Sequence, residues 1–456
     1  MGNGISNENI KAIVKRTRMR TKEYESAIAK LTESKPTSPS VSERITIWID
    51  VQGRPEKVNL RKRSSPAEQR RAIATHFGLS PAVQIEISDP QGNLIIDELE
   101  ANAPDLPYLI ECRMTLPPEL DGAAAQVTGG AEFEALLEGI VTSMSIDVWE
   151  YETNQLLRLI EFMFLDLGVL DELKIEMADL HTWLVAVEHN YRTVPFHNFR
   201  HAFSVTHMMY YIIRECDLSS MFTTLQLGVL LVACICHDLD HPGLNNMYQN
   251  KAKTDISLLY ENCSPLEHHH CAVAFQVFSV ESLNIFRNIS EQVQGAVTTM
   301  IIELILATDM ALHNEILEEF LQNVKNGFSI DNAEHSLSLQ KILIKCCDIS
   351  NEVRPLEFSE PWVDRLLEEF FFQADVEKEE GLPVAGFMDR DKVHKSRDQL
   401  KFIRATLMPL FNGLSDVLPP LRNVMSNSLI ESERYYERMT DKESKAENET
   451  KTTPSK

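Results

Sequence analysis

The sequence predicts a large all-α domain preceded by a small α+β module. From Ala131 onward, apolar residues recur at i, i+3 and i+4 spacing for about 300 residues, with no convincing strand pattern among them. Between Arg44 and Pro117, hydrophobic residues instead alternate in short runs that are separated by turn sequences. Residues 118–130 have the small-residue composition of a linker between these two parts.

Residues 1–43 are predicted to be a basic, flexible N-terminus. The opening MGNGIS fits the M-G-x-x-x-[ST] pattern for myristoylation of Gly2. The run from Asn9 to Lys22 carries six basic residues and no acidic one. Basic side chains near an anionic leaflet would reinforce a single acyl chain, which alone binds membranes only marginally. We therefore expect a cytoplasmic protein that a myristoylated N-terminus would hold peripherally at a membrane.

Residues 44–117 are predicted to form a ubiquitin-like α+β module. ITIWIDVQGRPEKVNL is typical of two strands around a Gly-Arg-Pro turn, and SSPAEQRRAIATHFGL is typical of a helix that ends at Gly78. VQIEISDPQGNLII predicts a strand, a turn and a strand, and PYLIECRMT predicts a last strand. The module contains no cluster of ligand-type residues, so we expect it to contact a protein partner or another domain.

The helical domain is assigned to residues 131–440. NQLLRLIEFMFLDLG, DLHTWLVAVEHNY and DRLLEEFFFQADVEKEEG each show the spacing of an amphipathic helix. The apolar run LGVLLVACIC is about half the roughly 20 residues needed to span a bilayer, so it predicts a buried helix. Residues 441–456 are polar and of low complexity, which predicts a disordered tail.

Charge and cysteine usage narrow the class of protein. The formal charge of −24 argues against binding to nucleic acid, which requires a basic surface. It leaves room for a small anionic substrate, because a bound metal reverses the sign locally. The eight cysteines include no CxxC and no spacing typical of a disulfide framework, so we expect reduced thiols. The first residues are polar and then basic, so no signal peptide is expected.

Three segments combine apolar helical runs with histidine or carboxylate. In PFHNFRHAF, His197 and His201 lie four residues apart, so a helix there would place both on one face. HDLDHPGLNN follows the apolar run and delivers His237 and Asp238 at its end, and KILIKCCDISN repeats this arrangement with Asp348. Such groups are costly to bury unless they are paired or metal-bound. Two of these histidines with the two aspartates therefore predict a site for zinc or another divalent ion.

Each of these residues has a simpler explanation when it is taken alone. A single His on a helix is more often a surface or core residue, and we assign His207 to that class. An Asp after an apolar run often caps a helix or starts a turn. In EHHHC, Glu267 to Cys271, at most two side chains can face one site, because consecutive helical residues point in different directions. The metal hypothesis therefore depends on the segments occurring together.

The motifs resemble one enzyme family closely. HNFRHAF resembles the H-N-x-x-H segment of the mammalian-type (class I) 3',5'-cyclic nucleotide phosphodiesterases, and HDLDHPGLNN resembles their H-D-x-x-H-P-G-x-x-N signature. ILATDMALH, KCCDISNEVRP, EPWVDRLLEEFFFQAD, GLPVAGFMDRDKV and DQLKFI follow in the family's order, so that the resemblance covers roughly residues 145–438. NYRTVPFHNFRH, CDISNEVRP and FMDRDKV are most similar to the high-affinity cGMP-specific type 9 branch. The resemblance implies the family's multi-helix catalytic fold with an HD-like metal site.

The resemblance also implies roles for individual residues. It implies four ligands of a tightly bound zinc ion: His201, His237, Asp238 and Asp348. It implies three outer-shell residues that orient waters around a second ion, Mg²⁺ or Mn²⁺, bridged through Asp238: His241, Glu267 and Thr308. It implies five substrate-binding residues: Gln399, Phe402, Asn351, Leu366 and Glu352. His197 would be the general acid.

The implied reaction is hydrolysis of the 3'-phosphoester bond of a 3',5'-cyclic nucleotide, preferentially cGMP to 5'-GMP, which terminates cyclic nucleotide signalling. A hydroxide bridging the two ions would attack phosphorus, since metal coordination lowers the pKa of water from 15.7 to about 7. His197 would protonate the leaving oxygen. Members of this family often pair through their catalytic domains, so a homodimer is also implied.

The implied base pocket combines a polar anchor with apolar walls. The Gln399 amide can donate and accept along a purine edge, and the Phe402 ring can stack on its face. Leu366 would close the opposite wall, Asn351 would add a polar contact, and Glu352 would influence the choice of guanine. Without the resemblance, ordinary core packing would be the preferred interpretation of the two apolar residues.

The sequence departs from the family pattern at three positions. Position 370 is Phe where the type 9 branch usually carries Tyr, position 268 is His in place of Asn, and Gly386 replaces Pro. No departure removes a ligand or the acid, but together they bear on the subtype and on the preference for cGMP over cAMP. The alternatives are a cAMP-specific or dual-specificity phosphodiesterase, an HD-type nucleotide phosphohydrolase, and a non-catalytic nucleotide sensor or scaffold.

Overall fold

The computed structural model describes residues 139–452 without a gap. It also describes residues 44–51, 54–61, 69–70, 72–73, 83–91, 94–95, 99–114 and 137. Two compact units divide the chain: one lies before residue 116 and includes residues 291–299, and the other comprises the remainder. The predictions for residues 1–43 and for the linker at 118–130 lie outside the described residues, as does most of the helix predicted at 64–79.

The first unit contains a four-stranded mixed sheet. Its strands are β1 (Arg44–Val51), β2 (Arg54–Arg61), β3 (Val83–Ser88) and β4 (Tyr108–Met114). Their order is β2-β1-β4-β3; β1 pairs antiparallel with β2 and parallel with β4, and β3 pairs antiparallel with β4. Four of the five predicted strands are confirmed with close boundaries.

The alternating pattern of the first unit places one face of the sheet in its core. Ile47 and Ile49 of β1 are fully buried, and Ile85 and Ile87 of β3 join the same cluster, as expected for a period of two. The strand predicted after Asp89 is wrong for the described residues, because only an isolated bridge between Ser88 and Leu94 forms there. After the turn at Pro90 and Gln91, the chain therefore pairs with the sheet at this single described position.

From residue 139 onward all regular elements of the described residues are helical, which confirms the prediction. We number the α-helices in chain order as α1 (Thr153–Asp166), α2 (Val169–Leu173), α3 (Met177–His189), α4 (Phe199–Glu215), α5 (Thr224–Cys236), α6 (Asn246–Ala252), α7 (Asp255–Leu259), α8 (Pro265–Ser279), α9 (Glu291–Leu306), α10 (His313–Lys325), α11 (Ala333–Asp348), α12 (Leu356–Glu379), α13 (Lys395–Phe402), α14 (Met408–Val417) and α15 (Asn427–Thr452). A π-helical turn joins α13 to α14, and a second one precedes α15.

The central helix α5 is buried on all sides. Every residue from Leu227 to Cys236 is buried, because α5 packs against α4 on one side and α11 on another. Thr223 begins the helix by accepting from the backbone N–H of Gln226, whose side chain accepts in return. Within the ranges described, no single helix is long and apolar enough to cross a membrane. Glu291–Leu306 and Met310–Lys325 reach that length and hydropathy only when they are taken together, and the two segments meet at a bend of 81°.

The C-terminal segment differs from its prediction. The helix α15 runs to Thr452, so that most of the tail predicted as disordered from residue 441 is helical. The sequence DKESKAENETKT is polar, but Lys, Glu and Ala are strong helix formers. Extending an existing helix also costs far less than starting a new one. The prediction of disorder was wrong because it used polarity and low complexity and left out helix propensity.

Candidate functional site

Three helix ends bring the predicted zinc ligands together. His201 lies in the first turn of α4, His237 caps the C-terminus of α5 and precedes Asp238, and Asp348 is the last residue of α11. All four are brought together as predicted, with their ligand atoms within 4.8 Å of one another. Because α4, α5 and α11 pack on one another, the site lies where their ends converge.

The spacing of the four ligand atoms matches a metal coordination shell. The Nε2 atom of His201 lies 3.1 Å from Oδ1 of Asp348 and 3.5 Å from Oδ2 of Asp238. The Nε2 atom of His237 lies 3.1 Å from Asp238 Oδ2, 3.3 Å from Asp348 Oδ1 and 3.3 Å from His201 Nε2. Ligands bound at about 2.0–2.2 Å around one ion would be separated by roughly 3.3 Å in a tetrahedral arrangement. The residues therefore fit a divalent ion.

Hydrogen bonding prepares the histidines as ligands. The Nδ1 atom of His237 lies 2.8 Å from the carbonyl oxygen of Cys234, which can only accept, so Nδ1 must carry the hydrogen. The neutral imidazole then directs the lone pair of Nε2 toward the other three ligand atoms. In His201 the Nδ1 atom is buried and has no hydrogen-bond partner among the described residues. Its ring also directs Nε2 into the group.

The two aspartates are held in the ionised form that a cation requires. Burial opposes the ionisation of Asp348, but hydrogen bonds and charge from His201 and His237 lower its pKa below the usual range. The same holds for Asp238, where burial is opposed by the charge and hydrogen bond of His237. Carboxylate and imidazole together form an N/O donor set suited to zinc and to other first-row divalent ions.

His197 lies just before α4 rather than on it. Asn198 is the N-cap of α4 and accepts from the backbone N–H of Arg200 at 2.9 Å and of His201 at 3.4 Å. The prediction that both histidines share one helical face is therefore wrong, because the cap residue separates them. Their rings nevertheless lie 5.7 Å apart between centroids, so His197 reaches the edge of the metal group.

Glu369 of α12 fixes the position of His197. One carboxylate oxygen lies 2.5 Å from Nδ1 of His197, and the other accepts from the backbone N–H of Phe196 at 2.9 Å and of His197 at 3.2 Å. Burial lowers the pKa of His197, but the charge and hydrogen bond of Glu369 outweigh it and raise this pKa to about 9. The sequence analysis missed Glu369; its place as the second Glu of the Glu368–Glu369 pair in the quoted motif EPWVDRLLEEFFFQAD was the only signal.

The three predicted outer-shell residues line the cavity beside Asp238. His241 stacks on His197 with ring centroids 4.0 Å apart, and its Nδ1 accepts from the backbone N–H of Gly243 at 3.1 Å. The carboxylate of Glu267 accepts from the Asn246 amide at 2.9 and 3.1 Å, and burial raises its pKa to about 8. The Thr308 hydroxyl donates to Ile305 at 2.7 Å.

His270 is a further cavity residue that the sequence analysis did not single out. Its Nε2 lies 3.6 Å from Oδ1 of Asp238, whose other oxygen, Oδ2, faces His201 and His237, while its Nδ1 donates to the Leu239 carbonyl at 2.6 Å. The expectation that at most two residues of EHHHC face one site is confirmed, since Glu267 and His270 line the cavity. They lie three residues apart on α8, which is one helical turn.

Asp240 braces the turn that carries Asp238 and His241. Its carboxylate binds the Arg192 guanidinium and lies 2.8 Å from Nε2 of His269. Its φ angle of 60° lies in the left-handed region, which Asp tolerates better than most residues. The sequence analysis left Asp240 and Arg192 without a role, because their pairing spans 48 residues. His207 is structural, as predicted: its Nδ1 accepts from Arg354 at 3.3 Å.

All five predicted substrate residues line one cavity of about 700 Å³ that opens beside the metal group. They are Gln399, Phe402, Asn351, Leu366 and Glu352. The Gln399 amide nitrogen donates to Oε1 of Glu352 at 2.7 Å. The other oxygen of Glu352 is buried and has no hydrogen-bond partner among the described residues. Burial raises the pKa of Glu352 to about 7, which the Gln399 bond and Lys395 only partly oppose.

One of the three departures from the family pattern lines the cavity. Phe370 lines it and packs edge-on against Phe387, with ring centroids 5.9 Å apart. The His268 ring stacks on the Tyr260 ring with centroids 5.4 Å apart, and its Nδ1 donates to the Ser264 carbonyl oxygen at 3.1 Å. Gly386 begins the short turn that carries Phe387. Phe370 is therefore the departure that changes the cavity wall itself.

Residues 196–428 match the family model described as 3'5'-cyclic nucleotide phosphodiesterase. The chain therefore belongs to this family, as its motifs, helical fold and His/Asp group predict. The match includes all four metal-group residues, His197 and Glu369.

Curated relatives point to one branch of the family. The chain is 48% identical over 295 residues to the mouse protein named high affinity cGMP-specific 3',5'-cyclic phosphodiesterase 9A, covering 65% of this chain and 55% of that one. It is 49% identical to the human protein of the same name, covering 65% of this chain and 50% of that one. The chain thus spans about half the length of these relatives.

Solved structures of the family share the helical fold. The crystal structure of the phosphodiesterase domain of the RhoPDE fusion protein from the choanoflagellate Salpingoeca rosetta matches with a TM-score of 0.65 and 26% identity, covering 68% of this chain and 99% of that one. The structure of LmjPDEB1 in complex with IBMX matches with a TM-score of 0.63 and 27% identity, covering 69% and 99%.

Proposed function

We propose that this protein is a metal-dependent 3',5'-cyclic nucleotide phosphodiesterase that hydrolyses cGMP to 5'-GMP in preference to cAMP. One observation carries this proposal: a single cavity is lined by Asp238 and Asp348 of the metal group, by His197, which Glu369 holds, and by the Gln399–Glu352 pair. Similarity to the cGMP-specific relatives supports the choice of substrate.

The charge of the cavity requires cations if an anionic substrate is to enter. Six carboxylates line it: Asp238, Glu267, Asp309, Asp348, Glu352 and Asp398. Lys395 is the one Lys or Arg among the described lining residues. Zinc would be held by His201, His237, Asp238 and Asp348, and Mg²⁺ or Mn²⁺ by the opposite oxygen of Asp238 and waters oriented by the outer-shell residues. Ions bound there supply a Lewis acid for the phosphate and a water of lowered pKa.

The chain's own acid is His197. Glu369 accepts from Nδ1 of His197, so the second hydrogen of the imidazolium is carried on Nε2. When the bond between phosphorus and the 3'-oxygen breaks, Nε2 gives its proton to that oxygen and His197 becomes neutral. The raised pKa of about 9 keeps His197 protonated at neutral pH, ready for this transfer.

Glu352 orients the amide that recognises the base. Because an ionised carboxylate can only accept, it holds the Gln399 nitrogen and leaves the Gln399 carbonyl oxygen free to accept. Guanine carries a hydrogen on N1, whereas N1 of adenine is an acceptor. The pair therefore favours guanine, with Phe402 and Leu366 enclosing the base.

Replacement of Glu352 by Gln is expected to lower the ratio of kcat/KM for cGMP to that for cAMP roughly tenfold, the size of one well-placed hydrogen bond. An amide at position 352 can donate or accept, so the Gln399 amide loses its fixed orientation. Kinetics with both nucleotides on the purified full chain measure this ratio. The control is Glu360→Gln, which neutralises a half-exposed carboxylate nearby. An unchanged ratio in Glu352→Gln would remove Glu352 from base selection.

The same pair predicts a pH dependence of selectivity in the wild type. Glu352 is ionised above its pKa of about 7 and protonated below it. Only the ionised form fixes the Gln399 amide as described, so the cGMP preference should decline as pH falls through about 7. A preference that stays constant between pH 6 and pH 8.5 would contradict this assignment.

Turnover of cGMP, cAMP and dGTP by the purified full chain, with zinc content quantified in the same sample, tests the function itself. We expect cGMP to give the highest kcat/KM and 5'-GMP to be the product. Turnover of dGTP alone would support an HD-type phosphohydrolase instead. A chain that binds zinc and cGMP but turns over neither cyclic nucleotide would be a sensor.

We propose that the N-terminal residues attach the protein to a membrane and that the module after them contacts a protein partner or another domain. The parallel β1–β4 pair at the centre of the sheet supports a ubiquitin-like module at 44–117, between the basic N-terminus at 1–43 and the linker at 118–130. We expect mass spectrometry of the chain expressed in eukaryotic cells to find a myristoyl group on Gly2, consistent with a cytoplasmic protein held at a membrane. A free or acetylated Gly2 would exclude this.

A further inference from the structure

An irregular segment before α1 is tied to the active-site helices through its backbone. We call residues 144–151 the strap. Nη1 of Arg200 donates to the carbonyl oxygens of Val148 and, at 2.8 Å, Tyr151. Nη1 of Arg354 donates to the carbonyl oxygen of Met144 at 3.2 Å. Strap carbonyls lack helical partners, so these guanidinium groups satisfy them. Arg200 directly precedes His201, and Arg354 lies two residues after Glu352.

A stacked side-chain cluster continues from the strap into α12. The Trp149 ring lies 5.0 Å from the Trp362 ring between centroids. The guanidinium carbons of Arg365 and Arg200 lie 3.8 Å and 5.3 Å from the Trp149 centroid, within the range of cation–π attraction. Neighbouring strap residues Ile146 and Val148 are buried at 4% and 3% exposure. Trp149 is thus held between two helices that carry catalytic-site residues.

Trp362 connects this cluster to the reacting groups. It is buried and lines the cavity, and its ring lies 5.4 Å from Phe196 and 6.1 Å from His201 between centroids. Phe196 in turn lies 4.8 Å from both His197 and His201. A displacement of Trp362 would therefore move the aromatic residue that packs on the general acid and on a metal ligand.

We propose that the strap is a positioning element of the catalytic site, in which Trp149 holds Trp362, and through it Phe196, so that His197 keeps its orientation toward the leaving oxygen. This inference rests on the proposed function, because it assigns the strap to the same site. The strap lies outside the matched residues 196–428. A purely structural strap would affect folding and zinc retention, whereas a positioning strap affects the chemical step after zinc and substrate are bound.

The test uses Trp149→Ala and Trp149→Phe in the full chain. We expect Trp149→Ala to lower kcat for cGMP by about 10- to 100-fold, because small misplacements of catalytic groups cost that much. The KM for cGMP should change by less than about threefold and zinc content should remain that of the wild type, since Trp149 is neither a residue of the cavity lining nor one of the metal group. Trp149→Phe keeps an aromatic face for Arg365 and should restore most of kcat.

The matched control is Phe328→Ala, which removes a half-buried ring that packs on Phe320 and His335. It should lower the melting temperature and leave kcat unchanged. Unchanged kcat in Trp149→Ala would overturn the inference, as would loss of zinc in parallel with kcat. If the wild type hydrolyses neither cGMP nor cAMP, the proposed function fails and this inference fails with it. An active wild type with an unaffected Trp149→Ala variant defeats the inference alone.

Discussion

Replacement of Asp348 by Asn is expected to lower kcat/KM for cGMP by at least about 1,000-fold, because it removes one anionic ligand from the metal group. Asp348 Oδ1 lies within 3.3 Å of both histidine Nε2 atoms. Asn has nearly the same shape and keeps the end of α11 intact, so the variant should fold. Its neutral amide is a poor ligand for zinc beside two imidazoles.

Metal content measured on the same samples separates the loss of the ion from other effects. We expect the zinc bound to Asp348→Asn to fall well below one ion per chain, while Asp416→Asn, which neutralises an exposed partner of Arg422, retains zinc and activity. Chelation of the wild type should abolish turnover, and added zinc with Mg²⁺ or Mn²⁺ should restore it. Full activity of Asp348→Asn, or of the chelated wild type, would contradict the metal assignment.

The metal group could be predicted from sequence because its residues occupy recognisable helix ends. His237 and Asp238 follow an all-apolar run that has to be buried, and Asp348 ends a second such run. Charged groups at the end of a buried helix need a partner or a bound metal, so the pattern itself indicates that one is present. The residue pattern alone left open which two of the three histidines are ligands. The family resemblance implied His201 and His237, and packing of α4 against α5 and α11 brings these two together with the aspartates.

Pairings between distant segments were beyond reach of local patterns. Glu369 acts on His197 from 172 residues away, and the strap reaches α12 across more than 200 residues. A carboxylate on an amphipathic helix looks the same whether it faces water or a histidine. The predicted start of α4 was wrong for a similar reason. The four-residue spacing of the histidines placed His197 inside the helix, whereas Asn198 caps α4, which begins at Phe199.

Replacement of His197 by Ala is expected to lower kcat by about 10²- to 10⁴-fold, the usual contribution of a general acid. Zinc content should remain unchanged, because His197 is not among the four residues that converge on the metal group. The exposed His189 provides the control, since His189→Ala should retain full activity. Wild-type kcat in His197→Ala would show that the leaving oxygen takes its proton from another group.

A second prediction about the general acid concerns Glu369 and the pH dependence of kcat/KM. His197 acts as an acid only when protonated, so activity is retained below its pKa and lost as pH rises through it. The carboxylate of Glu369 raises that pKa to about 9 against the effect of burial. Glu369→Gln removes this charge, and the alkaline limb of kcat/KM should move to lower pH by a unit or more, roughly the effect of a nearby opposite charge. Glu368→Gln changes the neighbouring exposed carboxylate and should leave the limb in place. An alkaline limb that Glu369→Gln does not move would assign the raised pKa, and with it the proton donor, to a different residue.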